Sequence, residues 1–320
     1  MSISPILRKS KARPTREGAG VNLHRGFGFG DTELTDPFLL FDDFRGDNPA
    51  DWKAGFPWHP HRGIETVTYV LAGSVEHGDS LGNKGILDAG SVQWMTAGSG
   101  IVHQEMPSGD TEGRVHGFQL WANLPRDLKM SDPRYQDIPS SEVIERSEDD
   151  GTFIRLICGE WQGLRGPVDG IAAAPRYMDI HVPPGKTRSF RMNLESRAFA
   201  YIFEGNGSFL GASEPGPVPY EAGDDVIAYK PVEVDNRSLV VFDSGDEIRV
   251  TARPEGIRFL LVSGRPIREP VAWYGPIVMN TQEELRTAFQ EYENGMFLKK
   301  HGDGSIQANS GGTDGVGFPG

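Results

Sequence analysis

Two short segments, separated by about forty residues, carry side chains that bind transition metals. The first contains His59 and His61, and the second contains His103 and Glu105, with one residue between the members of each pair. Residues two apart in a β-strand point to the same face of a sheet. Each pair can therefore direct both side chains to one point, and two adjacent strands would complete a four-ligand site. Three imidazoles and one carboxylate suit a mononuclear non-haem iron centre.

The residues around the two pairs supply turns and strands in a regular order. Gly55 precedes the first pair, and a strand-like run that starts at Thr66 ends at Gly73. The second pair follows a turn that contains Gly98 and Gly100. This order resembles the two-part motif of the cupin barrels: glycine, His-x-His, glutamate and glycine, then glycine, a short strand, a glycine-rich turn and a histidine. The resemblance implies a small β-barrel around the ligands.

Longer stretches are similar to one cupin family, the pirins. They include His59-Pro60-His61-Arg62-Gly63, Gln93-Trp94-Met95-Thr96-Ala97-Gly98, Gly117-Phe118-Gln119-Leu120-Trp121 and Gly275-Pro276-Ile277-Val278-Met279-Asn280-Thr281. The resemblance implies that iron is bound by four ligands, which are His59, His61, His103 and Glu105. It also implies that Glu65, the glutamate of the general cupin motif, is not a ligand but a hydrogen-bonding partner of the site.

Length and composition favour an all-β protein of two domains. A chain of 320 residues can form two ordinary cores, and its 41 Gly and 23 Pro predict frequent turns between short strands. A weak two-copy repeat supports this division, because Glu204-Gly205 and Glu221-Ala222-Gly223 resemble Ala72-Gly73 and Asp88-Ala89-Gly90. The predicted fold is a bicupin, two stacked double-stranded β-helix (jelly-roll) barrels with a short C-terminal helix.

The predicted domains are continuous in sequence. Residues 1–134 form the metal-binding barrel, residues 135–301 form a second barrel that ends in the helix, and residues 302–320 form a disordered Gly-rich tail. When the repeat is used to transfer the ligand positions to the second half, they fall on non-ligand residues such as Arg191, Asn193 and Ser238. The second barrel is therefore predicted to hold no metal.

The helix is predicted from its ends and from its apolar spacing. Thr281 and Glu284 form a capping box, Leu285 and Phe289 are one helical turn apart, and Gly295 is a suitable stop. Earlier in the chain, the apolar run from residue 38 to residue 41 predicts a buried strand.

Strand alternation predicts which side chains share the interior of the first barrel. His59, His61 and Glu65 occupy odd positions, as do the apolar residues Val67 and Tyr69. An unbroken strand would turn all five side chains toward the interior, although the glycine at position 63 signals a bulge that would interrupt the alternation.

Two other histidines are interpreted without a role at the metal. His77 follows Gly73 in a polar turn and is predicted to be exposed. His116 shares a strand face with Phe118, so it either points into the same barrel or, in the favoured interpretation, is a hydrogen-bonded core residue.

Charge and cysteine content limit the partners. The net charge of −13 argues against a general nucleic-acid interface, which needs a basic face, and no run approaches the length of a membrane span. The single cysteine, Cys158, lies in an apolar run and is predicted to be buried. These features predict a cytoplasmic protein, or a nuclear one in a eukaryotic cell, that binds neither nucleic acid nor membrane.

The family resemblance also implies a reaction. Pirins have flavonol (quercetin) 2,3-dioxygenase activity, in which Glu105 here would take the proton of the flavonol 3-hydroxyl, and O₂ would open the heterocycle with release of carbon monoxide. One Fe²⁺ per chain is expected, with nickel, manganese, copper and zinc as alternatives. The alternative function is a non-enzymatic redox sensor whose iron alters binding to a transcription factor or a metabolic enzyme. Another cupin chemistry, such as isomerisation, is a third hypothesis.

Overall fold

The computed structural model describes residues 2–211, 216–217 and 229–299 of the chain. The predicted tail at 302–320 and the repeat element at 221–223 lie outside these residues. Within them, the all-β prediction is confirmed by 26 strands. The first thirteen are β1 Ser2–Ile3, β2 Ile6–Lys11, β3 Arg13–Glu17, β4 Val21–Phe27, β5 Phe38–Gly46, β6 Phe56–His61, β7 Ile64–Ala72, β8 Ser74–Asp79, β9 Lys84–Asp88, β10 Val92–Thr96, β11 Ile101–Ser108, β12 Val115–Asn123 and β13 Arg134–Ile138.

The second half of the chain continues in the same way. Its strands are β14 Ile144–Ser147, β15 Phe153–Cys158, β16 Glu160–Trp161, β17 Leu164–Arg165, β18 Arg176–Val182, β19 Thr187–Arg191, β20 Arg197–Gly211, β21 Gly216–Pro217, β22 Lys230–Asp235, β23 Ser238–Phe242, β24 Glu247–Gly264, β25 Ala272–Tyr274 and β26 Ile277–Met279. The helices are α1 Thr32–Thr35, α2 Pro49–Trp52 and α3 Gln282–Glu293, with 3₁₀ turns at Arg126–Leu128 and Ser140–Glu142. None of the helices in the described chain combines the length and hydropathy needed to cross a bilayer.

Contacts within the chain define two compact units, each assembled from separate segments. One, called here the histidine unit, contains residues 15–23, 43–139 and 269–299. The other, called here the companion unit, contains residues 1–14, 24–42 and 140–268. The predicted continuous ranges 1–134 and 135–301 thus differ from these units at both ends of the chain. At the start of the chain the reason is strand pairing, because β1 pairs with β21 and β24 and β2 pairs with β23. At the other end, Val278 and Glu291 form hydrogen bonds with Arg62.

Most strands of the histidine unit belong to two sheets. The larger sheet has the order β13-β10-β7-β12-β5-β4-β3, and the smaller has the order β6-β11-β8-β9. A hairpin of β25 and β26 leads into helix α3. The predicted capping box is confirmed, because the Thr281 side chain and backbone exchange hydrogen bonds with Glu284. Gly295 ends the helix at φ 71°, in the left-handed region that a glycine tolerates.

Gly63 separates β6 from β7 and reverses the alternation of the side chains. Its φ is 76°, and a Cβ at this position would lie 1.9 Å from the carbonyl oxygen of Val278. Strand β6 therefore belongs to the smaller sheet, whereas β7 continues in the larger one. As a result the even residues of β7, including Thr68, face the ligand strand β11, whose Glu105 accepts a hydrogen bond from the Thr68 hydroxyl. The odd residue Glu65 lies on the other face, where it accepts a hydrogen bond from Thr96 of β10, so the alternation is interrupted at Gly63, the position at which the sequence indicated a bulge.

The companion unit has an apolar interior between its long strands. An 11-stranded sheet contains the path β14-β15-β18-β24-β20-β23-β2. Four phenylalanines stack edge to face in its core at centroid distances of 5.4–6.0 Å, and these are Phe190, Phe209, Phe242 and Phe259. The predicted burial of Cys158 is confirmed. The predicted strand at 38–41 is confirmed as part of β5, with all four apolar side chains buried.

Candidate metal centre

Strands β6 and β11 bring the three predicted histidines together. The two strands are antiparallel, and His59 lies directly opposite His103. One ring nitrogen from each of His59, His61 and His103 falls within 4.8 Å of the other two. The nearest pair is the Nε2 atoms of His59 and His61, which are 3.1 Å apart. The His-x-His spacing thus does what alternation predicts and presents two rings on one face of a strand.

Backbone carbonyls orient two of the three rings. His59 Nδ1 lies 2.8 Å from the carbonyl oxygen of Pro57, and His61 Nδ1 lies 3.2 Å from that of Pro276. A carbonyl oxygen only accepts hydrogen bonds, so these two contacts favour the tautomers that carry the proton on Nδ1. In those tautomers both Nε2 atoms have lone pairs, and these lone pairs repel one another at 3.1 Å. A cation between the two nitrogens removes that repulsion, and the donor set fits a transition metal.

His103 provides a second indication that the site binds a cation. Its side chain is buried, and neither ring nitrogen has a hydrogen-bond partner within the described residues. A buried polar atom without a partner costs free energy, and native structures contain few of them. Ligation of a metal by His103 would satisfy one of these nitrogens.

The electrostatics keep the three rings in the form that binds metals. Burial lowers the pKa of His59, and it holds the pKa values of His61 and His103 well below the usual range. Charge on the neighbouring His59 would lower the pKa values of His61 and His103 further. All three imidazoles are therefore neutral at pH 7 and do not have to lose a proton before they bind a metal.

Glu105 lies on the same buried face of β11 as His103, two residues further along. Its carboxylate is not among the converging donor atoms in the described chain. Its Oε1 accepts a hydrogen bond of 2.8 Å from the Thr68 hydroxyl. Burial raises the pKa of Glu105 to about 7, although the bond from Thr68 acts in the opposite direction. The ligand role of Glu105 stays a prediction, while its position next to the histidines and its raised pKa are properties of the fold.

Comparisons with known proteins support the same family throughout the chain. The family model described as Pirin matches residues 20–122, and that described as Pirin C-terminal cupin domain matches residues 177–298. A pirin-like protein of Caulobacter vibrioides is 40% identical over 298 residues, which are 93% of this chain and 100% of that protein. The chain belongs to the pirin family. Human pirin is 37% identical over 286 residues, 88% of this chain and 90% of that protein.

The pirin fold is supported by a solved structure as well. The crystal structure of quercetin 2,3-dioxygenase from Acinetobacter baumannii matches with a TM-score of 0.80 and 27% identity, covering 92% of this chain and 98% of that one. The prediction of an all-β protein with two cupin domains and a C-terminal helix is thereby confirmed.

In this member of the pirin family, residues 276–297 form hydrogen bonds with the end of the ligand strand β6 and with the residue that follows it. The Arg62 guanidinium is buried and donates to the Glu291 carboxylate and to the carbonyl oxygen of Phe297, at 2.7 Å each. The Val278 amide donates to the Arg62 carbonyl oxygen at 3.1 Å. Together with the Pro276 carbonyl at His61, these bonds show that residues 276–297 orient the second ligand of the His-x-His pair.

Sequence reasoning missed Thr68 and Gln119, which support Glu105. The Thr68 hydroxyl oxygen lies 2.8 Å from Glu105 Oε1 and 2.9 Å from the side-chain amide oxygen of Gln119. A hydroxyl has one proton, so a donation to Glu105 requires Gln119 to present its NH₂ group to the hydroxyl oxygen. The signal that could have identified Thr68 was the alternation along β7. If Gly63 reverses the alternation, the even residues of β7, such as Thr68, face the ligands.

The glutamate of the general cupin motif is placed on the other face of β7. Glu65 is buried, and its Oε1 accepts a hydrogen bond of 2.8 Å from the Thr96 hydroxyl on β10. Burial raises the pKa of Glu65 to about 7. The structure therefore joins Glu65 to β10, and its expected role as a direct hydrogen-bonding partner of the metal site stays without a supporting contact in the described residues.

His77 was wrongly expected to be exposed, since only 3% of it is accessible to solvent. Strand β8 begins directly after the turn at Gly73, so His77 belongs to the strand and lies opposite Glu105. Its ring stacks on Tyr135, with a centroid distance of 6.1 Å. The turn residues before it indicated a loop, but pairing with β11, which is not visible in local sequence, extends the sheet through this position.

His116 is partly buried and lies beside a buried carboxylate. Its Nε2 is 3.4 Å from Asp43, which also accepts a hydrogen bond of 2.7 Å from Arg45. Burial acts to raise the pKa of Asp43, but the hydrogen bonds and charges of His116 and Arg45 outweigh it and lower the pKa to about 2. The favoured expectation for His116, a hydrogen-bonded core residue, is met in part, because its ring lies beside the Asp43 carboxylate but is only partly buried.

Proposed function

We propose that this protein is an iron-dependent flavonol 2,3-dioxygenase that acts on quercetin or a close relative. The observation that supports this most is the buried Glu105 carboxylate, whose pKa of about 7 suits a general base at neutral pH, on the same strand face as His103. The similarity to the quercetin 2,3-dioxygenase of Acinetobacter baumannii supports a flavonol as the substrate class.

The three histidines hold the metal, with Glu105 as the proposed fourth ligand. A bound iron supplies a Lewis acid and open positions for oxygen ligands. The Nδ1 hydrogen bonds of His59 and His61 fix the ring orientations, so the Nε2 atoms converge before any ligand arrives. Such fixed rings reduce the reorganisation needed on binding.

Glu105 moves the proton of the reaction. It accepts the proton of the flavonol 3-hydroxyl, and the Thr68 hydroxyl holds the carboxylate in place through Oε1. Both atoms of O₂ enter the opened product, one ring carbon leaves as carbon monoxide, and Glu105 returns the proton. In the metal-free protein, burial raises the pKa of this carboxyl group to about 7.

The test is oxygen consumption with quercetin, normalised to bound iron. Glu105→Gln keeps the shape and one oxygen but removes the charge and the basicity. We expect the variant to retain a substantial fraction of its iron on the histidines and to lose turnover by about 10²–10⁴-fold, the typical contribution of a positioned base. Glu76→Gln is the matched control, because Glu76 is exposed on the adjacent strand β8. Carbon monoxide release is the second readout.

The competing function, an iron-dependent regulator that binds a protein partner, gives a different result in the same assay. An iron-replete wild type that consumes no oxygen with quercetin contradicts the dioxygenase proposal and favours the regulator. In that case Glu105→Gln would alter partner binding and not turnover.

A further inference from the structure

Two tryptophans extend outward from the ligand cluster as a continuous aromatic surface, called here the tryptophan wall. Trp121 on β12 lies against His61, with the ring centroids 5.0 Å apart and the rings nearly perpendicular at 81°. Trp273 on β25 lies 6.0 Å from Trp121. The Trp273 indole donates a hydrogen bond of 2.8 Å to the carbonyl oxygen of Gly275, which fixes its ring.

The tryptophan wall does not belong to the apolar core around it. Leu120 and Ala122, the neighbours of Trp121 on β12, are buried, whereas Trp121 is partly exposed. Ala272, next to Trp273, packs in the cluster that joins the hairpin to α3, whereas Trp273 is itself partly exposed. Large aromatic rings that touch a buried ligand residue and still face solvent form a surface for a flat ligand.

The wall continues into a groove beside helix α3. Trp273 lines this groove, whose volume is about 510 Å³, and Tyr274 and Phe289 meet in it at a centroid distance of 5.6 Å. A stripe of polar side chains follows one face of α3 along the groove, at the helical spacing of Gln282, Arg286, Gln290 and Glu293. The groove thus offers aromatic contact together with hydrogen-bonding groups.

We propose that Trp121 and Trp273 are specificity-determining residues that bind a planar polyphenol. The ring system lies against Trp121 when its reactive hydroxyl faces the histidines, and the part of the molecule remote from that hydroxyl reaches Trp273 and the α3 groove. The inference rests on the proposed function, because it assumes that the reactive end of a flavonol faces the metal centre. The hydroxyl groups of the remote ring match the amide and charged side chains of α3, and the ring faces match the indoles.

The experiment compares a long ligand with a short one. Quercetin has all three rings, whereas maltol keeps the adjacent hydroxyl and ketone of the reactive ring and lacks the rest. Dissociation constants are measured by titration calorimetry on the metal-loaded full chain without oxygen, so that no turnover occurs. We expect Trp273→Ala to weaken quercetin about tenfold and to leave maltol unchanged. We expect Trp121→Ala to weaken quercetin more, with Trp121→Phe recovering most of the loss.

Controls separate ligand contact from damage to the site. Metal content of each variant is measured by elemental analysis and must match the wild type. Phe29→Ala is the matched aromatic control, because Phe29 is 78% exposed and belongs to the companion unit. We expect this variant to bind both ligands like the wild type.

The outcomes distinguish this inference from the proposed function. Quercetin affinity that is unchanged in both tryptophan variants overturns the inference, as does an equal loss for quercetin and maltol, which would indicate a disturbed metal site. Tryptophan-dependent quercetin binding in a protein without turnover supports the inference and contradicts only the dioxygenase proposal. Turnover of quercetin together with quercetin binding that does not depend on the tryptophans supports the dioxygenase proposal and contradicts only this inference.

Discussion

The interiors of the two units differ in chemistry although both belong to a cupin family. The companion unit packs Phe190, Phe209, Phe242 and Phe259 edge to face between its strands. The histidine unit places two imidazole Nε2 atoms 3.1 Å apart, together with a buried His103 whose ring nitrogens have no hydrogen-bond partner among the described residues. Apolar packing stabilises the first interior without any ligand. In the second interior the grouped polar nitrogens cost stability, and a bound cation would offset that cost.

The largest expected effect tests where the metal binds. Purified protein should contain about one metal ion per chain, held by the neutral imidazoles. His59→Ala combined with His103→Ala removes two of the three converging nitrogens, and we expect elemental analysis to find almost no bound metal. His181→Ala, on β18 of the companion unit, is the matched histidine control and should leave the content unchanged. Nearly two metals per chain, or metal retained by the double variant, would break the contrast between the units.

Deleting a ring from the companion core should be costly whether or not metal is present. Phe259 is fully buried and contacts two other phenylalanines, so Phe259→Ala should lower the free energy of unfolding by about 3–5 kcal/mol. Denaturant unfolding with and without a chelator measures this loss. Metal at a hundred times its dissociation constant contributes about 2.7 kcal/mol to the wild type, which the chelator should remove. A loss from Phe259→Ala that vanishes after chelation would contradict the independence of the two interiors.

The pH dependence of metal affinity should follow one carboxyl group. Burial places the pKa of Glu105 at about 7 in the metal-free protein, so below pH 7 a metal that binds the carboxylate must displace a proton. Apparent affinity should therefore fall by about tenfold per pH unit below 7 and level off above it. The lowered pKa values of His61 and His103 keep these residues out of this range. Competition with a chelator at several pH values measures the slope.

Glu105→Gln is the control for that slope. The variant has no proton to displace, so its affinity should be weaker at pH 8 but nearly flat down to pH 6. The same slope in both proteins would show that Glu105 does not ligate the metal.

The smallest expected effect concerns the hydroxyl behind Glu105. Thr68→Val removes the donor to Oε1 while keeping the size of the side chain, and the loss of one such bond to a charged group costs about 1.5–3 kcal/mol. We expect turnover per iron to fall by about tenfold or somewhat more, with Thr68→Ser close to the wild type. Thr187→Val is the control, because Thr187 is exposed and its hydroxyl contacts another threonine hydroxyl, that of Thr251, in the companion unit. A Thr68→Ser variant as impaired as Thr68→Val would indicate a packing role.

Local patterns in the sequence were sufficient for several parts of this structure. The capping box at Thr281, the buried strand that includes Phe38 and the convergence of His59 and His61 all depend on residues a few positions apart. The family motifs placed His103 with them, and its pairing with β6 agrees.

Features that depend on distant pairing could not be predicted in the same way. The burial of His77 follows from the pairing of β8 with β11, and the discontinuous units follow from the pairing of β2 with β23. The role of Thr68 required the reversal at Gly63, where a close approach to Val278 decides the turn. The alternation of side chains along one strand does not indicate which other strand will pair with it.

The hydrogen bonds between residues 276–297 and the pair His61 and Arg62 have a consequence for biosynthesis. The ribosome makes the ligand strands roughly 200 residues before this segment, a delay of about 10–40 s at 5–20 residues per second. During that interval no Pro276 carbonyl orients His61, and no Glu291 carboxylate anchors Arg62. Until residues 276–297 have been made, the nascent chain therefore lacks these contacts at His61 and Arg62, whereas the Pro57 carbonyl next to His59 is already present. Full orientation of this ligand pair waits for a segment that is synthesised long after the ligands themselves.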